Sequence, residues 1–408
     1  MLILINTIIS MGISYAYWAS EVNGNQQSGS GSVTIGDWGI PIYTPLEFYE
    51  FATKTNSVLT DQYYLHNDID FTGFTWNYNS SNNNVIFRGT LNGNGKKLSN
   101  LTINNTSTSY LYHGIFPRAI GATIYDLTLE NVHLVTTLSG TSQRSGLLIG
   151  RAEGGTVTLS DIKLIDCGSQ GNSTNGVGGL VGNVRGATTI LNINNVKATN
   201  LRVFNDNTYV GGLVGRIATS GAIVNLTDID FEGDVYSNKV SSTTVNSYAG
   251  GLVGHVPSGG IVNITRAIVE ATFQNTLVTS ENFLVYSNRY LGGFVGFNQS
   301  GSNNVKITDA FFTGSLFTRI DTRRNDVGTA VGQDSQQALL TRVFYSNVIF
   351  RGVGGVIQYT VASPIGQMAT LVIEDQMPDT TWWNGFYTNF SSNSLWVQDG
   401  TGRLYLDI

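Results

Sequence analysis

The sequence predicts an all-β fold, a repeat β-solenoid of the right-handed parallel β-helix type with a short N-terminal capping helix. Three observations lead to this prediction. A short glycine-bounded apolar block recurs along the chain, an alternating apolar and polar segment follows each block, and the composition combines many glycines with few prolines.

The recurring block is a five-residue segment that begins and ends with glycine. It is written GGLVG in its most regular form, and its first glycines are spaced by 32, 33, 39, 42 and 36 residues. A weaker copy lies at His113 to Pro117, 33 residues before the first full block. The glycines that we predict to bound the blocks are Gly146, Gly150, Gly178, Gly182, Gly211, Gly215, Gly250, Gly254, Gly292, Gly296, Gly328 and Gly332.

Each block is followed by a segment in which apolar and polar residues alternate, as in Ile190 to Val196 and Ile223 to Phe231. Alternation of this kind is typical of a β-strand with one buried face. Each repeat should therefore supply at least two strands. Within the block, leucine should alternate with valine while the glycines permit a sharp turn or a close approach of the neighbouring coil.

Composition restricts the class of protein. The chain has 408 residues, 48 glycines and 6 prolines, which favours many turns between short strands. Only 12% of residues are charged and the formal net charge is -6, so binding to nucleic acid is not expected. A single cysteine, Cys167, excludes an intrachain disulfide framework and a thiolate zinc site. We expect its side chain to be buried and inert.

The chain divides into five segments by composition. Residues 1–19 are apolar and uncharged and predict a signal peptide, or a membrane anchor if they are not cleaved. Residues 20–32 predict a flexible linker, residues 33–112 an N-terminal cap and first coils, residues 113–360 the repeat solenoid, and residues 361–408 a C-terminal capping region. The segment Thr44 to Thr53 carries a helix start signal, with Pro45 at the first helical position and Glu47 three residues after Thr44.

Several segments together resemble bacterial surface proteins that carry GLUG repeats. They are PLEFYEFA at residues 45–52, YLHNDIDF at 64–71, Trp76, FRGTLNGNGKKLSNLTI at 87–103, the recurring GGLVG blocks and WVQDGTGRL at 396–404. The resemblance covers residues 40–408 and departs from the usual ending at Arg403, where proline is expected. It implies an exported β-solenoid with an adhesion or structural role at the cell surface.

Aromatic residues in the longer repeats mark a predicted ligand or partner surface. The middle repeats gain residues near 235–248 and 273–290, and extra length in a solenoid usually forms loops on one face. Exposed aromatic rings there would stack on sugars or anchor a protein partner, although the same rings could simply cover the edge of the core. The candidates are Tyr236, Tyr248, Phe283, Tyr286 and Tyr290, with Trp382 and Trp383 in the C-terminal region, where they could instead plug the last coil.

Candidate catalytic and metal groups are few. Asp68 with Asp70, and Asp228 with Asp230, form D-x-D pairs that suggest glycoside hydrolysis or calcium binding, but structural positions on strands or turns explain them equally. Residues 321–326 contain the densest charge cluster, which a solvated loop explains. The histidines His66, His113, His133 and His255 lack metal-ligand spacing. We therefore predict no catalytic residue, no metal and no cofactor.

These expectations lead to a working hypothesis of an extracellular or cell-surface protein without catalysis of its own. Its partner would be a protein or glycan on a host or neighbouring cell, and a membrane would be involved only through an uncleaved N-terminal segment. Two alternatives stay open. One is a carbohydrate-binding protein or a polysaccharide lyase or glycoside hydrolase, and the other is a subunit of a surface filament, for which an uncovered coil end or edge strand would be the sign.

Overall fold

The computed structural model describes residues 39–54, 58–77, 85–105, 111–136, 143–237, 247–270, 284–287, 290–301, 303–318, 327–334, 337–351, 370–371, 390, 395–398 and 404–408. These residues belong to one compact unit, Gly39–Ile408. The predicted segment 1–19 and linker 20–32 lie outside the described residues, as does the charge cluster at 321–326.

The chain begins with short strands and one helix and then enters the regular repeats. The helix α1 is Pro45–Thr53. The strands before the first full block are β1 (Ile40–Ile42), β2 (Val58–Leu59), β3 (Gln62–Leu65), β4 (Ile69–Asp70), β5 (Ile86–Phe87), β6 (Thr90–Ser99), β7 (Thr102–Asn105), β8 (Tyr112–His113), β9 (Phe116–Ala119), β10 (Thr123–Glu130) and β11 (His133–Thr136).

The repeat region continues the same order of short and long strands. Its first part contains β12 (Arg144–Gly146), β13 (Ile149–Glu153), β14 (Thr156–Ile165), β15 (Gly168–Gly171), β16 (Val177–Gly178), β17 (Val181–Arg185), β18 (Ile190–Asn205), β19 (Tyr209–Gly211), β20 (Val214–Ile217) and β21 (Ile223–Ser237). Its second part contains β22 (Tyr248–Gly250), β23 (Val253–Val256), β24 (Ile261–Glu270), β25 (Leu284–Ser287), β26 (Tyr290–Gly292), β27 (Val295–Asn298), β28 (Val305–Thr318), β29 (Val327–Gly328), β30 (Val331–Asp334), β31 (Leu339–Arg351), β32 (Thr370–Leu371), β33 (Trp396–Gln398) and β34 (Leu404–Leu406).

The strands form three long parallel sheets that run along the stack. Within the described residues, sheet A has 16 strands and includes the long strands β6, β10, β14, β18, β21, β24, β28 and β31. Sheet B has nine strands, from β2 to β30, and sheet C has seven, from β8 to β29. Each full repeat passes through sheet C, then sheet B, then sheet A. The prediction of an all-β solenoid with parallel strands is confirmed.

Equivalent residues of successive repeats lie directly above one another. In sheet A, Leu191 of one strand pairs with Val224, which pairs with Val262 in the next coil. All three side chains are fully buried. Ladders of this kind shield a continuous apolar core, in which burial of each Leu or Val is worth about 1.5–3 kcal/mol before chain entropy is counted.

The GGLVG block forms the corner between sheets C and B. In the repeat at Gly178, β16 ends at the first glycine, Gly179 and Leu180 make the turn, and β17 begins at Val181. Leu180 and Val181 are both fully buried, so the predicted alternation of leucine and valine does not occur. A corner replaces it because two consecutive apolar side chains can enter the same core where the chain changes direction.

Sheets C and B meet backbone to backbone along this corner. The predicted repeat glycines form two rows, the first glycines in sheet C and the second in sheet B, which together we call the glycine seam. A Cβ atom on Gly215 would lie 2.6 Å from the backbone oxygen of Gly182 and 2.6 Å from the backbone nitrogen of Val177. Such contacts are closer than carbon can make, so the seam requires glycine.

Bends in sheet A are made by single polar residues with left-handed backbone. One row contains Asp161, Asn195, Asp228 and Arg266, with φ between 52° and 57°. A second row, toward the end of each long strand, contains Asn100, Asn131, Asp166 and Asn200. Asn and Asp tolerate this conformation best, which explains their recurrence between apolar segments.

The helix α1 covers the N-terminal end of the core, as predicted. Thr44 is its N-cap, and a capping box joins Thr44 to Glu47. Phe48 packs edge to face on Phe71, and Phe51 contacts Phe87 of the first coils. These contacts close the open end of the stack.

The C-terminal hairpin lies on the side of sheet A. The antiparallel strands β33 and β34 place Trp396 and Leu406 in an apolar cluster with Ile268 and Phe311. Phe390 packs edge to face on Trp396, with a ring separation of 4.6 Å. Within segment 361–408, β32 pairs with β31 at the end of sheet A, whereas Phe390 and the hairpin cover apolar side chains on the flank of that sheet. Trp382 and Trp383 lie outside the described residues, so the plug over the last coil stays a prediction.

A candidate binding groove on sheet A

A groove lies on the part of sheet A that is formed by β11, β15 and the C-terminal halves of the long strands β18 and β21. Three rows of polar and aromatic residues run across successive coils there. The first row is formed by Val135, Gln170, Phe204 and Tyr236, which are paired in register on β11, β15, β18 and β21. The Phe204 and Tyr236 rings are nearly parallel, at 12°, with centroids 5.0 Å apart. Each ring therefore covers one face of the other, and both side chains are half-buried.

The second row is formed by His133, Gly168, Arg202 and Asp234. Gly168 has no side chain to separate its neighbours, and a Cβ atom there would lie 3.0 Å from Nδ1 of His133. Arg202 is mostly exposed and its Nε lies 3.7 Å from Oδ2 of Asp234. The His133 ring therefore lies over Gly168, and Arg202 follows on the next strand.

The third row consists of the left-handed residues Asn131, Asp166 and Asn200. Nδ2 of Asn200 donates to Oδ1 of Asp166 at 2.6 Å, and Oδ1 of Asn131 lies 2.8 Å from Nε2 of His133. Oδ1 of Asn200 is buried and has no hydrogen-bond partner. It is an acceptor that a bound molecule could satisfy.

Together the rows line an open groove of about 520 Å³. We call it the sheet A groove. Its lining residues are Asn131, His133, Leu134, Val135, Asp166, Cys167, Gly168, Ser169, Gln170, Asn200, Arg202 and Phe204. Its volume falls in the range of small-molecule and saccharide sites.

His133 and Cys167, two titratable side chains that line the groove, are uncharged at neutral pH. Partial burial lowers the pKa of His133, although Asp166 acts in the opposite direction, so the ring is neutral at pH 7. Burial raises the pKa of Cys167 to about 12, and its Sγ donates to the backbone oxygens of Leu129 and Ile165. The thiolate is therefore scarce at neutral pH, as the prediction of a buried, inert cysteine requires.

The predicted aromatic surface is only partly reproduced. Tyr236 lies in β21 rather than in a loop, and it borders the sheet A groove. Tyr286 pairs in register with Tyr236, which places its backbone one coil further along. Phe283, Trp382 and Trp383 lie outside the described residues. Sequence reasoning missed Phe204 and Arg202, because a strand position next to a left-handed residue carries no local signal.

Two of the predicted surface residues are buried. Tyr248 is 8% exposed and Tyr290 is 3% exposed, and both lie in short strands of sheet C. Their rings stack on one another at 4.9 Å, and Tyr248 also stacks on Tyr209 at 4.9 Å. The prediction of exposed loop positions is wrong for both, since stacking of successive coils places these tyrosines in a ladder.

This ladder belongs to a second side-chain cluster, which joins sheets B and C. We call it the B–C flank. It brings together residues two positions before the first glycine of a block and residues just after the last glycine. Its members are Tyr112, Arg118, Arg144, Arg151, Asn183, Arg185, Tyr209, Arg216, Tyr248, His255, Tyr290 and Phe297.

His255 is the buried titratable group of this flank. Its ring lies 4.8 Å from Tyr209 and 5.5 Å from Phe297, and Nδ1 has no hydrogen-bond partner. Burial lowers the pKa of His255 to about 3, and the positive charge of Arg216 acts in the same direction. The native protein therefore holds this ring neutral.

A pH dependence of stability follows from His255. Between about pH 6.5 and 3 the unfolded chain binds a proton that the native protein does not, so native stability falls as pH falls. His255→Phe copies Phe297 at the equivalent position of the next repeat and removes this titration. We expect the wild type to lose on the order of 1 kcal/mol more than the variant for each pH unit between 6 and 4. Urea unfolding across this pH range measures the difference, and parallel curves would contradict it.

The D-x-D pairs serve the fold. Oδ1 of Asp68 accepts from the backbone nitrogen of Lys97, and Oδ1 of Asp70 accepts from Thr72 and Asn100. Asp228 makes a two-point ion pair with Arg266 and also accepts from Trp396 Nε1 at 2.6 Å.

The second member of that pair holds the hairpin. Asp230 Oδ2 accepts from the backbone nitrogen of Leu406 at 3.1 Å. The structural explanation given for these carboxylates at the sequence level therefore holds for both pairs. Hydrogen bonds and an ion pair account for their positions without a ligand.

The described ranges contain neither a metal-binding group nor a helix that could span a membrane. There, His, Cys, Asp and Glu side chains form no group of three that could hold a metal ion. No helix in that part of the chain is long and apolar enough to cross a bilayer; helix α1 has nine residues.

Comparison with known proteins gives a likeness of fold. No protein-family model matches the chain, and no curated protein matches it. The structure is similar to the crystal structure of a putative immunoglobulin A1 protease from Bacteroides ovatus, with a TM-score of 0.50 and 11% sequence identity. The match covers 90% of this chain and 91% of that one. At this identity the likeness shows the fold alone.

Proposed function

We propose that this chain is an extracellular adhesion protein whose sheet A groove binds a glycan. The observation that carries the proposal is the half-exposed, nearly parallel pair of Phe204 and Tyr236 beside the groove. Sugar rings present apolar C–H groups, and the exposed parts of these two aromatic rings supply apolar contacts for them beside the groove.

Polar groups around the rings supply the specificity that stacking lacks. The Arg202 guanidinium, the Gln170 amide and the unsatisfied Oδ1 of Asn200 border the same groove. Sugars recognise such groups because adjacent hydroxyls donate and accept hydrogen bonds together. The arrangement favours a saccharide over an apolar ligand.

The location and role rest on the sequence. The apolar segment 1–19 and the resemblance to surface proteins with GLUG repeats support export and an adhesive role. A groove that continues along a stacked sheet would bind several units of one polymer, and the combined affinity of many weak contacts suits adhesion.

A polysaccharide-degrading enzyme is the less favoured function. The carboxylates near the groove are engaged, since Asp166 accepts from Asn200 and Asp234 faces Arg202. Acid and base groups of glycosidases need a free carboxyl pair with separated pKa values. This arrangement favours binding without bond cleavage.

The test is a glycan array followed by titration calorimetry with the full chain. Tyr236→Ala and Phe204→Ala should each raise Kd for the bound glycan at least tenfold, or about 1.4 kcal/mol. Tyr43→Ala is the matched control, because Tyr43 is an exposed aromatic residue at the N-terminal end of the stack. Unchanged affinity in both groove variants, or a shortened glycan after incubation, would overturn the proposal.

A further inference from the structure

Arginine residues gather on the B–C flank around one tyrosine ring. The guanidinium carbons of Arg118, Arg144 and Arg151 lie 5.8, 5.2 and 5.5 Å from the ring centre of Tyr112. Nη1 of Arg151 donates to the Tyr112 hydroxyl at 2.8 Å. Three guanidinium groups around one ring is a dense positive charge for a chain whose net charge is -6.

Two more arginines extend this group along the stack. Arg185 is exposed at the end of β17, and Arg216 on β20 lies 4.4 Å from the ring centre of Tyr209. Both lie close enough to Arg144 for their charges, after burial, to lower the pKa of that guanidinium. Like charges held together in a half-buried place destabilise the native chain.

Carboxylates neutralise only part of this charge. Glu153 forms ion pairs with Arg118 and Arg151. Among the described residues, Arg185 and Arg216 have no carboxylate partner. The positive charge without a carboxylate partner is therefore carried by Arg185 on β17 and Arg216 on β20.

Unsatisfied polar atoms lie at the same place. Asn183 is fully buried, its Nδ2 donates to the backbone oxygen of Asn175 at 2.7 Å, and its Oδ1 has no partner. Nε of Arg151 and Nε of Arg216, on the two strands that flank Asn183, are also buried without a partner. Buried polar atoms without partners are rare, and these three lie among the arginines of the flank.

One glycine interrupts the row of large side chains on sheet C. Sheet C carries Tyr112, Arg144 and Tyr209 in neighbouring repeats, but Gly176 takes the place between Arg144 and Tyr209. A Cβ atom on Gly176 would lie 2.5 Å from the backbone oxygen of Gly182 and 3.0 Å from Cβ of Arg216, so the backbone packs closely against the neighbouring strand here. The coil of Gly176 thus carries few large side chains on this flank. The coil before it carries Arg144 and Arg151, and the coil after it carries Arg216.

We propose that the B–C flank binds the acidic groups, carboxylate or sulfate, of an anionic polysaccharide. Guanidinium groups recognise such oxyanions through paired, charge-assisted hydrogen bonds. Arg185 and Arg216 lie on the neighbouring strands β17 and β20, about 5 Å apart along the stack, so they would contact successive charges of one chain. This site is distinct from the sheet A groove and does not depend on it.

Tyrosine faces favour a polysaccharide over an acidic protein. Guanidinium groups pack over the rings of Tyr112 and Tyr209, and this packing holds the arginines in a fixed row. A preformed row loses little side-chain entropy when it binds a regular polyanion. An acidic peptide lacks that fixed charge spacing.

The test compares an arginine double variant with a lysine double variant in the full chain. Arg185→Gln with Arg216→Gln removes two positive charges from the flank, and Lys163→Gln with Lys306→Gln removes two from sheet A. The probes are polygalacturonate, dextran sulfate, uncharged dextran and poly-L-glutamate. We expect the wild type and the lysine variant to bind the two acidic polysaccharides equally, and the arginine variant to bind them at least tenfold more weakly.

Thermal unfolding separates binding from folding. Because the two arginines repel their neighbours, the arginine variant should unfold at the same temperature as the wild type or at a higher one. Polygalacturonate should raise the melting temperature of the wild type and leave that of the variant unchanged. The proposal is overturned if both double variants lose affinity equally, if dextran binds as well as polygalacturonate, or if only poly-L-glutamate binds, which would indicate an acidic protein partner.

Discussion

Gly215→Ala should destabilise the protein by about 3 kcal/mol or more, although the change adds a single methyl group. The new Cβ atom would lie 2.6 Å from backbone atoms of Gly182 and Val177, and backbone at the centre of a stack cannot move aside as a flexible side chain can. Relief would require sheets B and C to separate over several coils. The midpoint of urea unfolding measures the loss.

Gly301→Ala is the matched control for this change. The nearest group to its new Cβ atom would be Nδ2 of Asn304 at 3.5 Å, an ordinary contact. Stability should change by no more than about 0.5 kcal/mol, and a small gain is consistent with reduced entropy of the unfolded chain. Equal stability of the two alanine variants would show that the glycine seam does not have the close packing described above.

Asp228→Asn should cost about 2–3 kcal/mol and loosen the C-terminal hairpin. The substitution keeps a side chain that tolerates left-handed backbone and can still accept from Trp396, but it leaves the Arg266 guanidinium without its carboxylate. A half-buried cation then loses the partner that offsets its desolvation. Urea unfolding gives the loss of stability, and hydrogen exchange at the amide of Leu406 reports the hairpin.

Asp161→Asn is the control in the same row of left-handed residues. Asp161 accepts one hydrogen bond from Asn195 at 2.9 Å, and asparagine already occupies the next position of the row. We expect a loss of less than about 1 kcal/mol. If Asp228→Asn and Asp161→Asn behave alike, the ion pair with Arg266 does not hold the hairpin in place.

The stacking of coils was predictable because it leaves a periodic trace. Every repeat must place glycine where sheets B and C touch, so the spacing of Gly178, Gly211 and Gly250 reports the coil length directly. The helix at Pro45–Thr53 was predictable for a local reason, since its capping box lies within four residues. Periodic and local signals survive in a single sequence.

The corner and the tyrosine ladder were mispredicted although a signal existed. Tyr209, Tyr248 and Tyr290 each stand two residues before the first glycine of a block. A constant offset from the corner indicates a constant strand position, whereas a loop residue would drift with loop length. The polar residues around Tyr248 and Tyr290 favour loops, whereas the constant offset correctly indicates buried strand positions.

Contacts between distant segments leave neither a periodic nor a local pattern in the sequence. Asp228 meets Trp396 across 168 residues, and the C-terminal hairpin lies outside the repeat period. The sheet A groove depends on Gly168 falling between His133 and Arg202 in register, which the sequence reveals only once the strands are paired. The arginines of the B–C flank come together for the same reason.

The most direct test of the account is a crystal structure of the full chain with a glycan identified on the array. We expect a sugar ring in contact, at about 4 Å, with the exposed part of Phe204 or Tyr236, and with hydroxyls within hydrogen-bonding distance of Arg202 and Asn200. An intact glycan in that position would support adhesion through sheet A. Sugar density confined to another surface, or a cleaved glycan in the groove, would contradict it.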